Sequence, residues 1–266
     1  MLSAREIILK KKILSLPDLP TLSANVMELI RLLSKEEVDL NPVFDCIKRD
    51  PVLVTKMLKI VNSSLYALPR KIETVEMVVT LLGVRKIKEI ILSASVMDTI
   101  NNADSKLWDH SFTTASLIAN IIRKERYTVS PNISITALVH DVGQVILNMF
   151  NPKGEKMALS KSEEEGIPLH IAEKSILEVD HALVGSWLME AWQLDEDILI
   201  PVAFHHNHEE VNEKYVKEIA LLQLADYIDE TVREIPTHKV PMELLQAAGM
   251  EGIDIDYWLD FQKENI

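Results

Sequence analysis

DPVLVTKMLKIV, Asp50 to Val61, reads as a helix from its first two residues onward. Asp50 offers a side-chain acceptor to the amide groups that a first turn leaves unpaired. Pro51 suits the first helical position, where it has no hydrogen bond to lose. Val52, Val54, Met57, Leu58 and Val61 then recur close to a period of 3.6, the spacing that collects apolar side chains on one helical face. The same punctuation continues on both sides. Asn41-Pro42 predicts another helix start, Thr74 opens a run that Gly83 stops, Asn132, Asp180 and Asp254 read as further N-caps, and Gly166 as a terminator. Roughly a dozen helices follow from this pattern, and no strand pair is predicted. The expected fold class is all-α.

Composition narrows the function classes. The chain of 266 residues can build one large core or two smaller ones. Only 7 glycines and 11 prolines interrupt a 47% hydrophobic content dominated by aliphatic residues and alanine, which favours helices over sheet. Twenty-eight basic against 41 acidic residues give a net charge of −13, so the surface repels nucleic acid and anionic lipid on average. Asn41–Val61 has the outline of a helix-turn-helix, but its second helix offers only Lys56 and Lys59, and DNA binding is not expected. The single cysteine, Cys46, excludes an internal disulfide, fits a reducing cytosol, and reads as a small buried hydrophobe. Lys10-Lys11-Lys12 lie in an amphipathic segment rather than a secretory signal. No apolar run approaches the ~18–20 residues needed to span a bilayer. A soluble cytoplasmic protein is expected.

The chemistry sits in the second half. Residues 16–100 contain no histidine, whereas residues 105–235 carry seven of the eight. Seven side chains there are candidate ligands of a metal centre: His110, the pair His140-Asp141, His181, the pair His205-His206, and Asp226. Imidazole and carboxylate suit a divalent transition metal, and adjacent His-Asp on a helix projects two ligands about 100° apart toward one ion. This donor set favours Fe, Mn, Zn or Ni over Mg or Ca, as one or two ions. The competing arrangement is a hydrogen-bonded polar cluster in the core. Two acids argue against it, because a buried carboxylate without a partner is costly. The domain reading is an N-terminal helical subdomain over 1–100, a second over 101–235 with the metal site, and closing helices over 236–266. The polar seam Asn101-Asn102-Ala103-Asp104-Ser105 separates the first two.

Several stretches carry a resemblance. LPDLP (Leu16–Pro20), RDPVLVTKMLKIVNSSLYALPRKI (Arg49–Ile72), VVTLLGVRKIKEIIL (Val78–Leu92), WDHSFTTA (Trp108–Ala115), ALVHDVGQVIL (Ala137–Leu147) and DHALVGSWLMEAWQL (Asp180–Leu194) resemble the HDOD family, the HD-related output domains of bacterial signalling proteins. The likeness covers about residues 14–230 and implies an all-α fold whose C-terminal part is related to HD-domain metal-dependent phosphohydrolases. Carried over, the core ligand set of those enzymes falls on His110, His140, Asp141 and Asp226. His181, His205 and His206 match the additional histidines of the branch that holds two or more metals. Three positions depart from the hydrolytic branch that acts on cyclic dinucleotides. Gln144 stands where that branch carries lysine, HHNHEEVNEKY (His205–Tyr215) lacks its Gly-Tyr-Pro stretch, and Lys106 replaces a frequent acidic ligand.

Three readings are therefore expected in order. The first is a signalling or regulatory module with a retained metal site and a signalling protein as partner. The second is a metal-dependent phosphohydrolase acting on a nucleotide or another phosphate ester, with Asp141 and Gln144 as its catalytic candidates. A scaffold that binds no metal is the third. His208 reads as a surface residue, while His170 and His238 have no assigned role. Trp187 and Trp192 read as core, Trp108 as a wall of the metal pocket, Glu163-Glu164-Glu165 as a solvated face, and Asn62 and Ser63 as turn-fixing caps.

Overall fold

A computed structural model describes all residues except Met1, Glu36, Ser64, Ala67, Asp104, His208, Glu210 and Ile266, with backbone alone at Arg85 and 97–103. The expected surface position of His208 and part of the expected seam thus lie outside the described residues. Among the described residues every regular element is helical. The chain divides into two compact units, Pro20–Trp108 and a second formed by Met1–Leu19 together with Asp109–Ile266. This differs from the expected division at both ends. Helix α1 (Ala4–Ile13) belongs to the second unit, where Arg5 pairs with Glu178 and Lys10 with Glu190. The closing segment joins it too, through helices packed on the one that carries Asp226.

The first unit contains α2 (Ala24–Leu33), α3 (Leu40–Lys48), α4 (Pro51–Val61), α5 (Val75–Leu82) and α6 (Val84–Ala103), with α6 lying against α2, α4 and α5. Asp50 accepts the amide of Leu53 at 3.0 Å and Pro51 opens α4 as expected. The buried face of α4 is Leu53, Met57, Ile60 and Val61, whereas Val52 is 62% exposed. The face is thus rotated from the predicted one, each buried member contributing roughly 1.5–3 kcal/mol. Asn41 is not a cap: α3 starts at Leu40, and Asp39 accepts the Asn41 amide at 3.0 Å. Thr74 caps α5 through the Met77 amide at 3.2 Å, and Gly83 ends it at φ 82°. Asn62 fixes its turn by accepting from the Ile72 amide at 2.7 Å and donating to the Ile72 carbonyl at 2.8 Å. Cys46 is buried with Leu29, Val43 and Ile47, and Trp108 packs against this same core.

The second unit continues with α7 (Ser105–Glu125, from Asp109 onward), α8 (Ile133–Val139), α9 (Val142–Phe150), α10 (Pro152–Glu165), α11 (Leu169–Leu177), α12 (His181–Ala191) and α13 (Glu196–Phe204). A 3-10 turn at Glu213–Tyr215 leads into α14 (Val216–Val232), followed by α15 (Met242–Ala247) and α16 (Ile255–Asn265). Helix α12 packs on α9 and α13, α10 on α9 and α11, and α14 on α13, α15 and α16. Ile133–Phe150 reaches a mean hydropathy of 1.4 over 18 residues, more apolar than the sequence reading allowed, yet it is 72% buried and broken at His140-Asp141. It is core. Trp187 and Trp192 are buried as predicted, and Glu163–Glu165 are exposed. Asp180 caps α12 through the Leu183 amide at 2.9 Å, and Gly166 closes α10 at φ 65°.

Candidate metal centre

Four helix ends and two helix bodies bring the seven expected side chains together. His140 closes α8 and Asp141 opens α9, so the two leave a buried turn in adjacent directions. His181 is the first residue of α12, while His205 closes α13 and His206 follows it. His110 comes from α7 and Asp226 from α14. What lets α9 and α12 approach is Gly143. A Cβ there would lie 1.9 Å from the His181 carbonyl oxygen and 2.8 Å from the Gly185 amide nitrogen.

Three overlapping sets have ligand atoms within 4.8 Å of one another: Asp141, His181, His205 and His206; His110, His140 and Asp141; and His140, His205 and Asp226. Asp141 is shared. Its Oδ1 lies 3.1 Å from His181 Nε2, 3.4 Å from His140 Nε2 and 3.6 Å from His205 Nε2. Asp226 Oδ1 lies 3.0 Å from His140 Nε2 and 3.3 Å from His110 Nε2.

The outer nitrogen is already engaged in four of the five rings, His110, His140, His181 and His205. Nδ1 of His140 donates to the Ala137 carbonyl at 2.6 Å, and Nδ1 of His205 to the Val202 carbonyl at 2.7 Å. Carbonyl oxygen only accepts, so these rings carry hydrogen on Nδ1 and, when neutral, aim an Nε2 lone pair inward. His181 Nδ1 faces Glu173 Oε2 at 2.7 Å, and His110 Nδ1 faces Asp229 Oδ2 at 2.7 Å. Asp229 also accepts from Arg233 Nε at 2.7 Å and Gln262 Nε2 at 2.8 Å. Carboxylate and carbonyl partners behind the histidines are what orient metal-bound imidazoles.

Electrostatics show what the centre demands. His140 Nε2, His205 Nε2, Asp141 Oδ1 and Asp226 Oδ1 are buried and have no hydrogen-bond partner. Lone pairs facing one another at 3.0–3.6 Å repel unless a cation lies among them, either shared protons or a metal ion. Burial opposes charge on His110, but the carboxylates of Asp226 and Asp229 outweigh it and hold the ring well above its ordinary pKa. His181 is held well above its ordinary value in the same way by Glu173 and Asp141, against burial. For Asp141 and Asp226, burial is outweighed by the neighbouring histidines, and both carboxyls lie below the usual range. His206 goes the other way: burial, then His205 and His181, push it well down, and its Nε2 lies 2.8 Å from His181 Nε2. The donor set therefore fits a divalent transition metal, because one ion answers several orphaned atoms at once.

Gln144 points inward, but it is spoken for: its Nε2 donates to Asp141 Oδ2 at 2.8 Å. Lys106 is exposed, and so is His238. His170, which sequence alone left unassigned, stacks on His206 with ring centroids 4.1 Å apart and planes at 11°; burial pushes its pKa down to about 3. Glu173 and Asp229 were not foreseen either. Asp229 follows Asp226 by three residues and shares its helical face, a signal that was present. No comparable pattern marks Glu173.

Comparison with known proteins places the fold in a family. The HDOD domain model matches residues 19–208. An uncharacterized protein of Treponema pallidum (strain Nichols) is 25% identical over 236 residues, which is 86% of this chain and 45% of that protein. The chain spans less than half the length of the curated relatives it matches. Among solved structures, an HDOD domain protein of unknown function from Geobacter sulfurreducens aligns with a TM-score of 0.78 and 25% identity over 98% of this chain and 95% of the other. A candidate phosphohydrolase from Shewanella amazonensis SB2B aligns with a TM-score of 0.72 and 20% identity over 96% and 93%, a likeness of fold.

Proposed function

This chain belongs to the HDOD domain family, and from that premise we propose that it is a cytoplasmic signalling module whose second unit holds one or two divalent transition-metal ions. One observation carries the proposal: four buried ligand-type atoms, from His140, Asp141, His205 and Asp226, converge without hydrogen-bond partners. His110, His140, Asp141 and Asp226 would hold one ion, and Asp141, His181, His205 and His206 a second, with Asp141 common to both. Nitrogen and carboxylate donors in this ratio favour Fe, Mn, Zn or Ni.

Gln144 favours the first of the two readings. It donates a neutral hydrogen bond to Asp141 Oδ2, so its amide serves to orient that carboxylate. It brings no positive charge to a phosphate group. A regulatory centre that binds a signalling partner, with a nucleotide as possible ligand class, follows better than turnover. The second reading is a phosphohydrolase acting on a nucleotide or other phosphate ester, and the shared Asp141 favours it, since two-ion sites clamp phosphoryl oxygens. A bound ion of this class polarises such an oxygen and makes coordinated water acidic near neutrality. In that reading Asp141 fixes the centre and Gln144 holds Asp141 in place.

Elemental analysis of protein purified without chelator tests the proposal directly. At least one equivalent of transition metal is expected, and His140→Ala and Asp226→Asn should lose it. Metal below about a tenth of an equivalent per chain would leave a polar scaffold, since structural sites of this kind bind tightly. Metal-replete protein that hydrolyses cyclic or linear nucleotides, with activity lost in His140→Ala, would establish the phosphohydrolase instead.

A further inference from the structure

Helix α11 carries two polar side chains to the rim of the centre that neither ligand set uses. His170 and Lys174 stand four residues apart on it, and therefore on one helical face. The His170 ring lies flat on His206 at 4.1 Å, and His206 in turn lies 3.9 Å from His205 and 4.8 Å from His181, centroid to centroid. His170 is thus one stacked ring away from the second candidate set. Lys174 reaches the same region through Asp180, the residue before His181, whose Oδ2 its Nζ meets at 2.8 Å.

Burial shows where that set opens. Asp141, His181 and His205 are buried, and His206 is its one half-buried member, so solvent meets the set on the side where His170 stacks. His170 is itself half-buried. Among the described residues neither of its nitrogens has a hydrogen-bond partner, yet neither is a buried orphan, so both reach solvent. The four engaged histidines have a carbonyl or carboxylate at the outer nitrogen; His170 is held by its face, and its polar edge is left free. Lys174 is half-exposed, and an ammonium has three hydrogens of which Asp180 takes one. Both groups offer N–H, which selects an anionic group on the ligand.

We propose that His170 and Lys174 form a subsite for a phosphate group at the His206 opening of the second set. His170 donates a ring N–H to a phosphate oxygen, and Lys174 adds the positive charge that Gln144 does not bring. Imidazole donates N–H whether neutral or charged, so the contact does not depend on titration of the ring. The inference rests on the metal reading above and names the ligand class of that same site.

Inorganic phosphate is the probe, titrated calorimetrically into the zinc-loaded full chain, with zinc stoichiometry and affinity measured separately. His170→Phe keeps a flat ring on His206 but has no N–H. It should hold zinc as the parent does and lose about tenfold or more in phosphate affinity, the size of a hydrogen bond to a charged group. His170→Ala should lose phosphate to the same extent, and Lys174→Gln about 2–5-fold, the range for an exposed ion pair. Parental phosphate affinity in zinc-loaded His170→Phe would overturn the inference and leave the metal reading standing. Loss of zinc from a folded His170→Phe chain would also sink it, because the ring would then be a prop for the ligands and not a contact for phosphate. Lys174→Gln at parental affinity would strike the lysine from the subsite. A zinc-loaded parent that takes up no phosphate refutes the subsite alone, whereas a parent without zinc refutes the metal reading and the subsite with it.

Discussion

Gly143 is the position where one added carbon should do most damage. Alanine is a better helix former than glycine by about 0.8–1.0 kcal/mol, so propensity alone favours Gly143→Ala. The structure opposes it. The new Cβ would stand 1.9 Å from the carbonyl oxygen of His181, where ordinary contact begins near 3.4 Å, and the atoms in the way are backbone. Helices α9 and α12 must therefore separate by about 1.5 Å, which takes overpacking past the usual 1–3 kcal/mol end of its range. Asp141 rides on one helix and His181 on the other, now 3.1 Å apart at Oδ1 and Nε2. Metal–ligand distances tolerate about 0.2 Å, so the shared site should open and zinc affinity drop by about 100-fold or more. Gly185→Ala, across the same crossing, meets only ordinary contacts at 3.4–3.6 Å and should be close to neutral, as should Gly252→Ala, which meets nothing within 4 Å. Denaturant midpoints and zinc stoichiometry are the assays. A Gly143→Ala chain with parental midpoint and a full complement of zinc would refute the close-approach reasoning.

Three further outcomes follow from named contacts. In chelator, His110 and His181 hold raised pKa values, so their stabilisation is fully present below ~6.5 and lost as pH climbs through the raised values. Asp141 and Asp226 lie low, so theirs is present above ~3.9 and lost as pH falls through the lowered values. His170 and His206 lie low and work the other way, their contribution being lost as pH falls below ~6.5, so the stripped protein should melt highest near that pH and zinc should extend stability to the alkaline side; a stripped melting temperature that rises from about pH 6.5 to 8 would contradict this sign. Gln144→Ala removes the 2.8 Å hydrogen bond on Asp141 Oδ2 and should cost about tenfold in zinc affinity with the fold intact, read by titration and circular dichroism. Asp39→Ala and Asp50→Ala should each cost about 1 kcal/mol in urea unfolding, whereas Asn41→Ala, inside its helix, should cost far less.

Much of this molecule was legible because its signals are local. Asp50-Pro51, Thr74 with Gly83, and Asp180 act on amides three residues away, and a one-dimensional string preserves that relation. The meeting of His110, His140-Asp141, His181, His205-His206 and Asp226 could be anticipated because polar ligand types in apolar helices need a common partner. What stayed hidden depends on separation in sequence or on backbone. Asp229 reaches His110 across 119 residues, and Glu173 reaches His181 by folding α11 back onto α12. Asn41 was read as a cap because proline followed it, but proline is equally at home two residues deeper in the first turn, and the cap is Asp39. The face of α4 was misjudged because Val52 is as apolar as its neighbours yet points outward at 62% exposure.

The family match ends at residue 208, but the carboxylates of Asp226 and Asp229 lie beyond it on α14, and Gln262 on α16 braces the latter. A fragment excised at the family boundaries would discard an acid from the innermost layer together with the brace behind His110. Asp141 would then be the one carboxylate left at the centre of five imidazoles, with Glu173 behind His181 alone among the outer acids. Whoever trims this protein to its family-matched segment should obtain a chain that has lost both charge balance and cohesion at its heart, and the shortest faithful piece runs to the final helix.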